Sequence, residues 1–201
     1  DVTSLTRLNL SSNRIKEIDL RLCEMTPLTE LLLSKNLISK IPRELFESLT
    51  NLTCLRLDEN KISVIPLQVR HMSNLVELTL HKNMITILPL EMGNLLQLQM
   101  LTLDVEDMVS PYPEVCDRGP KVITTYLRAV GAAQTSRAVD LRGLGLTSFP
   151  VEIYTIPSIT ALHLDDNNLT SLPPSIERLT DLTELTLTNL HLQNLPFVMG
   201  A

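Results

Sequence analysis

Imidazoles, carboxylates and a thiol recur at matching places along this chain, and they raise the question of catalysis first. His81 lies between Glu77 and Asp104 in the sequence, and these three groups together could ligate a transition metal. His81 and Asp104, His163 and Asp140, and Arg142 and Asp165 each fall one repeat length apart, so a repeating fold would make each pair near neighbours. Cys54 could serve as a nucleophile. None of these groupings, however, supplies a nucleophile, a base and a group that orients the base. The chain contains no GxxxxGK[ST], GxSxG, HExxH or HxE…CxxC sequence. The reading is therefore that the chain is not an enzyme: no catalytic residues, no metal and no cofactor are expected. Cys54 is read as a small surface or half-buried side chain.

What must position these groups is a repeat. Residues 5–18 read LTRLNLSSNRIKEI, 28–42 LTELLLSKNLISKIP, 52–66 LTCLRLDENKISVIP and 75–89 LVELTLHKNMITILP. After an interruption, 159–173 read ITALHLDDNNLTSLP and 182–196 LTELTLTNLHLQNLP. Asn13, Asn36, Asn60 and Asn83 stand 23, 24 and 23 residues apart, and such self-similarity is the mark of a stacked repeat. Within each copy the LxL alternation has period two and predicts a short strand, with Leu8 and Leu10 turned inward and Arg7, Asn9 and Ser11 outward. The Asn is expected to turn inward on leaving the strand and to satisfy turn backbone, including that of the next coil. Pro42, Pro66, Pro89, Pro173 and Pro196 suit a non-strand arc, where 3₁₀ or brief α turns are expected. Leu45 and Leu49 would pack that arc. One coil cannot bury its own apolar face, so the coils must stack, and at least three are needed. Eight coils at strand spacing would span on the order of 40 Å.

This pattern, LxxLxLxxNxI/LxxI/LP in six copies, resembles the leucine-rich repeat family. The resemblance implies an α/β fold: a leucine-rich repeat solenoid, a curved horseshoe with a parallel sheet on the concave face and short 3₁₀ or α segments on the convex face.

The pattern breaks in the middle. Residues 98–113, LQMLTLDVEDMVSPYP, begin a fifth copy with Glu106 in the Asn place, and 136–150, SRAVDLRGLGLTSFP, form an irregular copy with Leu144 there. Between them an insert of 15 residues is predicted to be a helix over about 119–130, opened by Gly119 and Pro120 and stopped by Gly131. Val122, Ile123, Tyr126, Leu127 and Val130 would form one apolar stripe, covering the preceding coils or docking a partner helix. The segment MVSPYPEVCDRGPKVITTYLR is similar to the closing element of Ras-group, Shoc-type intracellular leucine-rich repeat proteins. Pro111, Pro113, Glu114, Gly119, Tyr126, Leu127 and Arg128 fill the matching places, and LRGLGLTSFP resembles the opening coil of a new array. Two domains are expected: 1–131, with coils one to five and the closing helix, and 132–201, with coils six to eight. With Asp1 just before a strand and Ala201 soon after Pro196, further repeats are expected on at least one side.

Composition fits that reading. Of 201 residues, 44% are hydrophobic and only 3% aromatic, with no Trp, so the core must be built from Leu, Ile and Val in small layers. A net charge of −6 without basic runs argues against a broad nucleic-acid or anionic-membrane surface. Cys23, Cys54 and Cys116 are odd in number and far apart, which points to a reducing, cytoplasmic setting rather than a disulfide framework. Sequons at Asn9, Asn51 and Asn168 are of the kind Asn-, Leu- and Thr-rich repeats generate by chance. No signal peptide and no apolar stretch of membrane-spanning length are found.

The outward strand positions are where a partner can be read without disturbing the core. In the first array these are Arg7, Asn9, Glu30, Leu32, Lys35, Cys54, Arg56, Asp58, Glu59, Glu77, Thr79, His81, Lys82, Met100, Thr102 and Asp104. In the second they are Asp140, Arg142, His163, Asp165, Asp166, Glu184, Thr186 and Thr188. Leu32, Cys54 and Met100 would add apolar anchors. The expected function is a protein–protein interaction scaffold or recognition module that binds a protein on its concave face in cytoplasmic signalling. The alternative is a sensing or regulatory arm of a larger receptor, kinase or GTPase. The Ras-group resemblance implies a small GTPase, a GTPase regulator or a phosphatase subunit as partner.

Overall fold

The computed structural model describes residues 4–196. Each LxL run folds into a three-residue strand. These are β1 (Arg7–Asn9), β2 (Glu30–Leu32), β3 (Cys54–Arg56), β4 (Glu77–Thr79) and β5 (Met100–Thr102), then β6 (Ala138–Asp140), β7 (Ala161–His163) and β8 (Glu184–Thr186). All pair in parallel, and the repeat sets the register: Leu8 faces Leu31, Leu31 faces Leu55, Leu55 faces Leu78 and Leu78 faces Leu101. Val139, Leu162 and Leu185 form the corresponding column among β6–β8. The strands make a five-stranded sheet, β1 to β5, and a three-stranded sheet, β6 to β8, each in sequence order. The chain divides into two compact units, Asp1–Leu127 and Arg128–Ala201.

Within a coil the core is aliphatic. Leu28, Leu31, Leu33, Ile38, Leu45, Leu49, Leu52, Leu55, Leu57 and Ile62 are fully buried, as are Val139, Leu141, Leu162 and Leu164 in the second unit. Each such side chain removed from water contributes about 1.5–3 kcal/mol. The return arcs are short turns, as the prolines led one to expect. One is a helix, α1 (Arg43–Ser48), and the others are 3₁₀ turns at Leu20–Glu24, Leu67–His71, Leu90–Asn94, Val151–Thr155 and Pro174–Arg178. Pro42, Pro66, Pro89, Pro150 and Pro173 each occupy the position just before the turn, with extended backbone. No amide donor is required there, and the fixed φ of proline prepares the turn.

The asparagines repeated at this register bind the stack together, in the direction opposite to that expected. Asn60 accepts the Ile38 amide at 3.0 Å and donates to the carbonyls of Leu33 and Leu57 at 3.0 and 2.9 Å. Ile38 and Leu33 belong to the coil before it, not the coil after. Asn36, Asn83 and Asn167 do the same to Ile15 and Leu10, to Ile62 and Leu57, and to Leu146 and Leu141. In a parallel sheet a residue's N–H and C=O point to the same side. Leu33 donates forward to Arg56 O, so its carbonyl also faces forward, where the Asn60 amide of the next coil meets it beside the Asn36 amide of its own. A second ladder closes the strand entry, where the hydroxyls of Thr29, Thr53, Thr160 and Thr183 each donate to a carbonyl of the preceding coil.

The residue just before each ladder position turns the chain through the left-handed region. Ser12, Lys35, Glu59, Lys82, Asp166 and Asn189 have φ of 50–59°, and Gly143 holds the same register at 67°. For residues with a Cβ this costs about 1–2 kcal/mol, tolerated because the flanking ladder fixes the turn.

The closing segment forms α2 (Pro113–Cys116) and α3 (Pro120–Ser136). Gly131 therefore does not stop the helix. A glycine in a helix interior costs only about 1 kcal/mol, and the following Ala133 is fully buried on the same stripe as Ile123, Tyr126, Leu127 and Val130. Val122, expected on that stripe, is only half-buried. Tyr126 packs edge-on against Tyr112, with ring centroids 6.3 Å apart.

Candidate functional site

Alternation in each strand leaves two outward side chains, and the following turn adds two more. In β1–β5 and their turns this builds four rows across the first sheet. The row at the strand starts is Arg7, Glu30, Cys54, Glu77 and Met100, and the row at the strand ends is Asn9, Leu32, Arg56, Thr79 and Thr102. Beyond the strands follow Ser34, Asp58, His81 and Asp104, then Lys35, Glu59 and Lys82.

The cations of this face are all neutralised by a neighbouring coil. Arg7 meets Glu30 at 3.0 Å, and Arg56 meets Glu77 at 2.6 Å. Lys35 and Lys82 flank Glu59 at 3.7 and 3.4 Å. The Glu77 carboxylate holds the Arg56 guanidinium above its ordinary value. Asp58 is different, because one of its oxygens receives the hydroxyls of Ser34 and Thr79 at 2.7 and 2.5 Å. Burial pushes its carboxyl upward, but those two hydroxyls outweigh it and the group sits below the usual carboxylate value. Cys54 is half-buried, and burial followed by the Glu77 charge pushes its thiol up, away from nucleophilic character.

The pairings drawn from sequence spacing are redistributed. His81 Nδ1 meets the Thr102 hydroxyl at 3.1 Å, while Asp104 accepts the Asn83 amide. Ligand atoms of His81 lie within 4.8 Å of those of Asp58 and Glu59, rather than grouping with Glu77 and Asp104. The two ammonium groups beside Glu59 oppose a cation at that cluster.

On the second sheet Arg142 pairs with Asp140 of its own coil at 2.6 Å, not with Asp165. That contact holds the Asp140 carboxyl low. Asp165 instead takes the hydroxyls of Thr186 and Thr188 and the Thr188 amide. These donors lower its carboxyl to about 2. His163 Nδ1 stands 3.1 Å from the Thr186 hydroxyl, whose single proton goes to Asp165, so the imidazole is the donor there.

Three of the expected contact residues are covered. Leu32, Thr79 and Asp165 are only 8, 7 and 7% exposed. They stand on outward positions, and Thr79 and Asp165 are drawn into hydrogen bonds with Asp58, Thr186 and Thr188 of the adjacent coils. Arg7, Asn9, Lys35, Arg56, Lys82 and Met100 are exposed on the first face, as are Asp140, Arg142 and Glu184 on the second. Glu30, Asp58, Glu77, His81, Thr102, His163 and Thr186 are half-buried. Glu59, expected among the outward positions, is the carboxylate that Lys35 and Lys82 share, a pairing its spacing did not announce.

The leucine rich repeat family pattern matches residues 3–62 and 26–85, and a second leucine rich repeat pattern matches 158–179, together just over half of the chain. No curated protein matches it. Among solved structures, a leucine-rich repeat protein of Leptospira interrogans is 27% identical with a TM-score of 0.49. That match covers 96% of this chain and 39% of the other. The plant peptide hormone receptor RGFR1, solved in complex with RGF2, is 25% identical over 94% of this chain and 25% of its own, with a TM-score of 0.47. The ectodomain of the Arabidopsis thaliana membrane receptor kinase GASSHO1/SCHENGEN3 is 25% identical over 89% of this chain and 20% of its own, with a TM-score of 0.42. The chain thus spans well under half the length of these proteins. Repeat spacing, parallel strand stacking and the asparagine ladder agree with the pattern matches: the chain belongs to the leucine-rich repeat family.

Proposed function

We propose that this chain is a protein-recognition scaffold of cytoplasmic signalling, which holds a partner protein on the outer face of its sheets. Leucine-rich repeat proteins generally mediate protein–protein interaction, and the repeat is typically a non-enzymatic module. The observation that carries the reading is the first sheet's outer face. Arg7, Arg56, Lys35 and Lys82 project from a backbone fixed by two hydrogen-bonded ladders, so a polar surface of set geometry is presented without ordering cost at binding. Met100, 49% exposed in the same row as Cys54 and Glu77, offers an apolar anchor among the charges. The odd number and wide spacing of Cys23, Cys54 and Cys116 support a reducing compartment. The resemblance of the closing segment to Ras-group proteins suggests a small GTPase, a GTPase regulator or a phosphatase subunit as partner.

The test is calorimetry of the chain against a Ras-family GTPase loaded with GDP or a non-hydrolysable GTP analogue, and against a phosphatase catalytic subunit. Reversing Arg56 and Lys82 to Glu, or replacing Met100 by Ala, should weaken the complex about tenfold or more. A complex whose affinity ignores all three changes would reject this face.

A further inference from the structure

The corner where each return arc leads into the next strand is closed differently in the two units. In the first, Asn51 donates its side-chain amide to Thr26 O and Asn74 donates to Thr50 O, each at 3.0 Å and each reaching the coil before it. The strand register, carried back to the corner, puts Asp181 of the second unit in the place of those asparagines and makes Pro157 O the carbonyl they would reach. A carboxylate has no proton to give that carbonyl. Among the described residues no hydrogen bond reaches Pro157 O. Where the bridge would be there is a cavity of about 210 Å³, with Asp181 and Pro157 both in its wall.

The same wall holds a cation. The Arg178 guanidinium lies over the Tyr154 ring, 5.2 Å from its centroid. That ring is itself held, by stacking on Phe149 at 5.5 Å and by a 2.8 Å hydrogen bond between its hydroxyl and that of Ser175. A guanidinium stacked on a ring keeps the N–H donors at its edge free, in the fork that fits a carboxylate. Among the described residues Arg178 has no ion-pair partner, Asp181 included. Beside the hydroxyls of Ser158 and Thr180 the rest of the lining is apolar, with Ile156 and Ile159 buried and Leu179 half-buried. Glu177, the carboxylate next to Arg178 in the chain, lines a separate hollow with Leu182 and Leu185.

These groups select the occupant by charge and by atom type. At the equivalent corners a nitrogen bearing protons fills the gap, so an ammonium suits the space between Asp181 and Pro157 O. A carboxylate suits the edge of Arg178. A metal cation would be repelled by that guanidinium, and a simple anion would face Asp181. A ligand that carries both charges on a short frame meets neither objection, and the apolar wall favours an aliphatic group on that frame. We infer that this cavity binds a free α-amino acid with an aliphatic side chain, its ammonium on Asp181 and Pro157 O and its carboxylate on Arg178. The site lies on the return arcs and does not rest on the protein-binding face proposed above.

The experiment titrates the full chain, labelled with nitrogen-15, with leucine, N-acetylleucine and leucinamide, each up to about 10 mM. Leucine should shift the backbone amides of residues 156–159 and 178–181. N-Acetylleucine lacks the ammonium and leucinamide lacks the carboxylate, and each should bind about tenfold more weakly or worse. Arg178→Gln should lower the affinity for leucine to that for leucinamide. Asp181→Asn should abolish leucine binding and raise the thermal midpoint, because its amide can then reach Pro157 O as Asn51 reaches Thr26 O. Both positions are exposed, and the three ligands test the unaltered chain as well. No response to leucine, an analogue that binds as tightly as leucine, shifts centred on other residues, or leucine binding indifferent to both substitutions would each overturn the assignment.

Discussion

In the five-stranded sheet Asn36, Asn60 and Asn83 each tie two coils together through buried or half-buried amides, whereas in the three-stranded sheet, among the described residues, Asn167 alone does so. Leu144 and Leu190 stand where the other two asparagines would be. Leu144 opens its sheet, so no earlier strand of that sheet offers backbone groups to satisfy, and a buried leucine is the better filler. Leu190 does follow a coil. There the fastening has moved to the outer face, where Asp165 gathers two hydroxyls and an amide from Thr186 and Thr188. Asp58 plays a like part in the first unit, but there it supplements the neutral, pH-insensitive amides, whereas at the last coil of the second unit the titratable carboxylate stands without one.

The largest effect should come from the amide. Asn60→Ala leaves the Ile38 amide without a partner in a dry turn and strips one of two amide donors from the Leu33 carbonyl, and should cost about 3 kcal/mol in chemical denaturation. Asn13→Ala, whose amide reaches only Leu10 and Ser11 of its own exposed coil, should cost well under about 1 kcal/mol. Equal costs would show that bonding between coils is not what matters.

The carboxylate comes next. Asp165→Ala should destabilise the second unit by about 2 kcal/mol, seen as faster hydrogen exchange at Thr188. The sign of its pH dependence follows from a folded value of about 2 against an ordinary 3.8. Its contribution is complete above the unfolded value and is lost as pH falls from about 4 through 2. Acid should therefore speed exchange at Thr188 before it affects Ile38, and Asp165→Asn should remove that difference.

A converse change sharpens the comparison. Leu190→Asn should give the three-stranded sheet a second ladder residue reaching back to Leu169, with a net gain of about 0.5–1 kcal/mol set against the lost leucine burial. Thermal unfolding would show it, and a fall in stability would mean that the leucine is needed for packing.

The smallest effect concerns the left-handed turn shared by both units. Ser12→Gly relieves a positive φ and should gain about 0.5 kcal/mol, while Gly143→Ala imposes one and should cost about 1 kcal/mol. The Gly143 position has open space for a Cβ, so that cost would be backbone conformation alone.

The sequence alone determined the strands, their parallel order and the proline-led arcs. All of these follow from the spacing of leucines, because each coil can bury its apolar side only on an equivalent neighbour. Gly131 misled because local propensity for a helix end yields when the next residues are needed in the core. What tertiary structure alone decided is which outward groups are available and what they touch. Leu32, Thr79 and Asp165 occupy outward positions by pattern yet are covered, since exposure depends on the length and hydrogen bonding of side chains one coil away. Arg142 chose Asp140, His81 chose Thr102 and Glu59 took two lysines for the same reason. Periodicity fixes the row in which a side chain stands, but distances of a few ångströms between coils settle its partner.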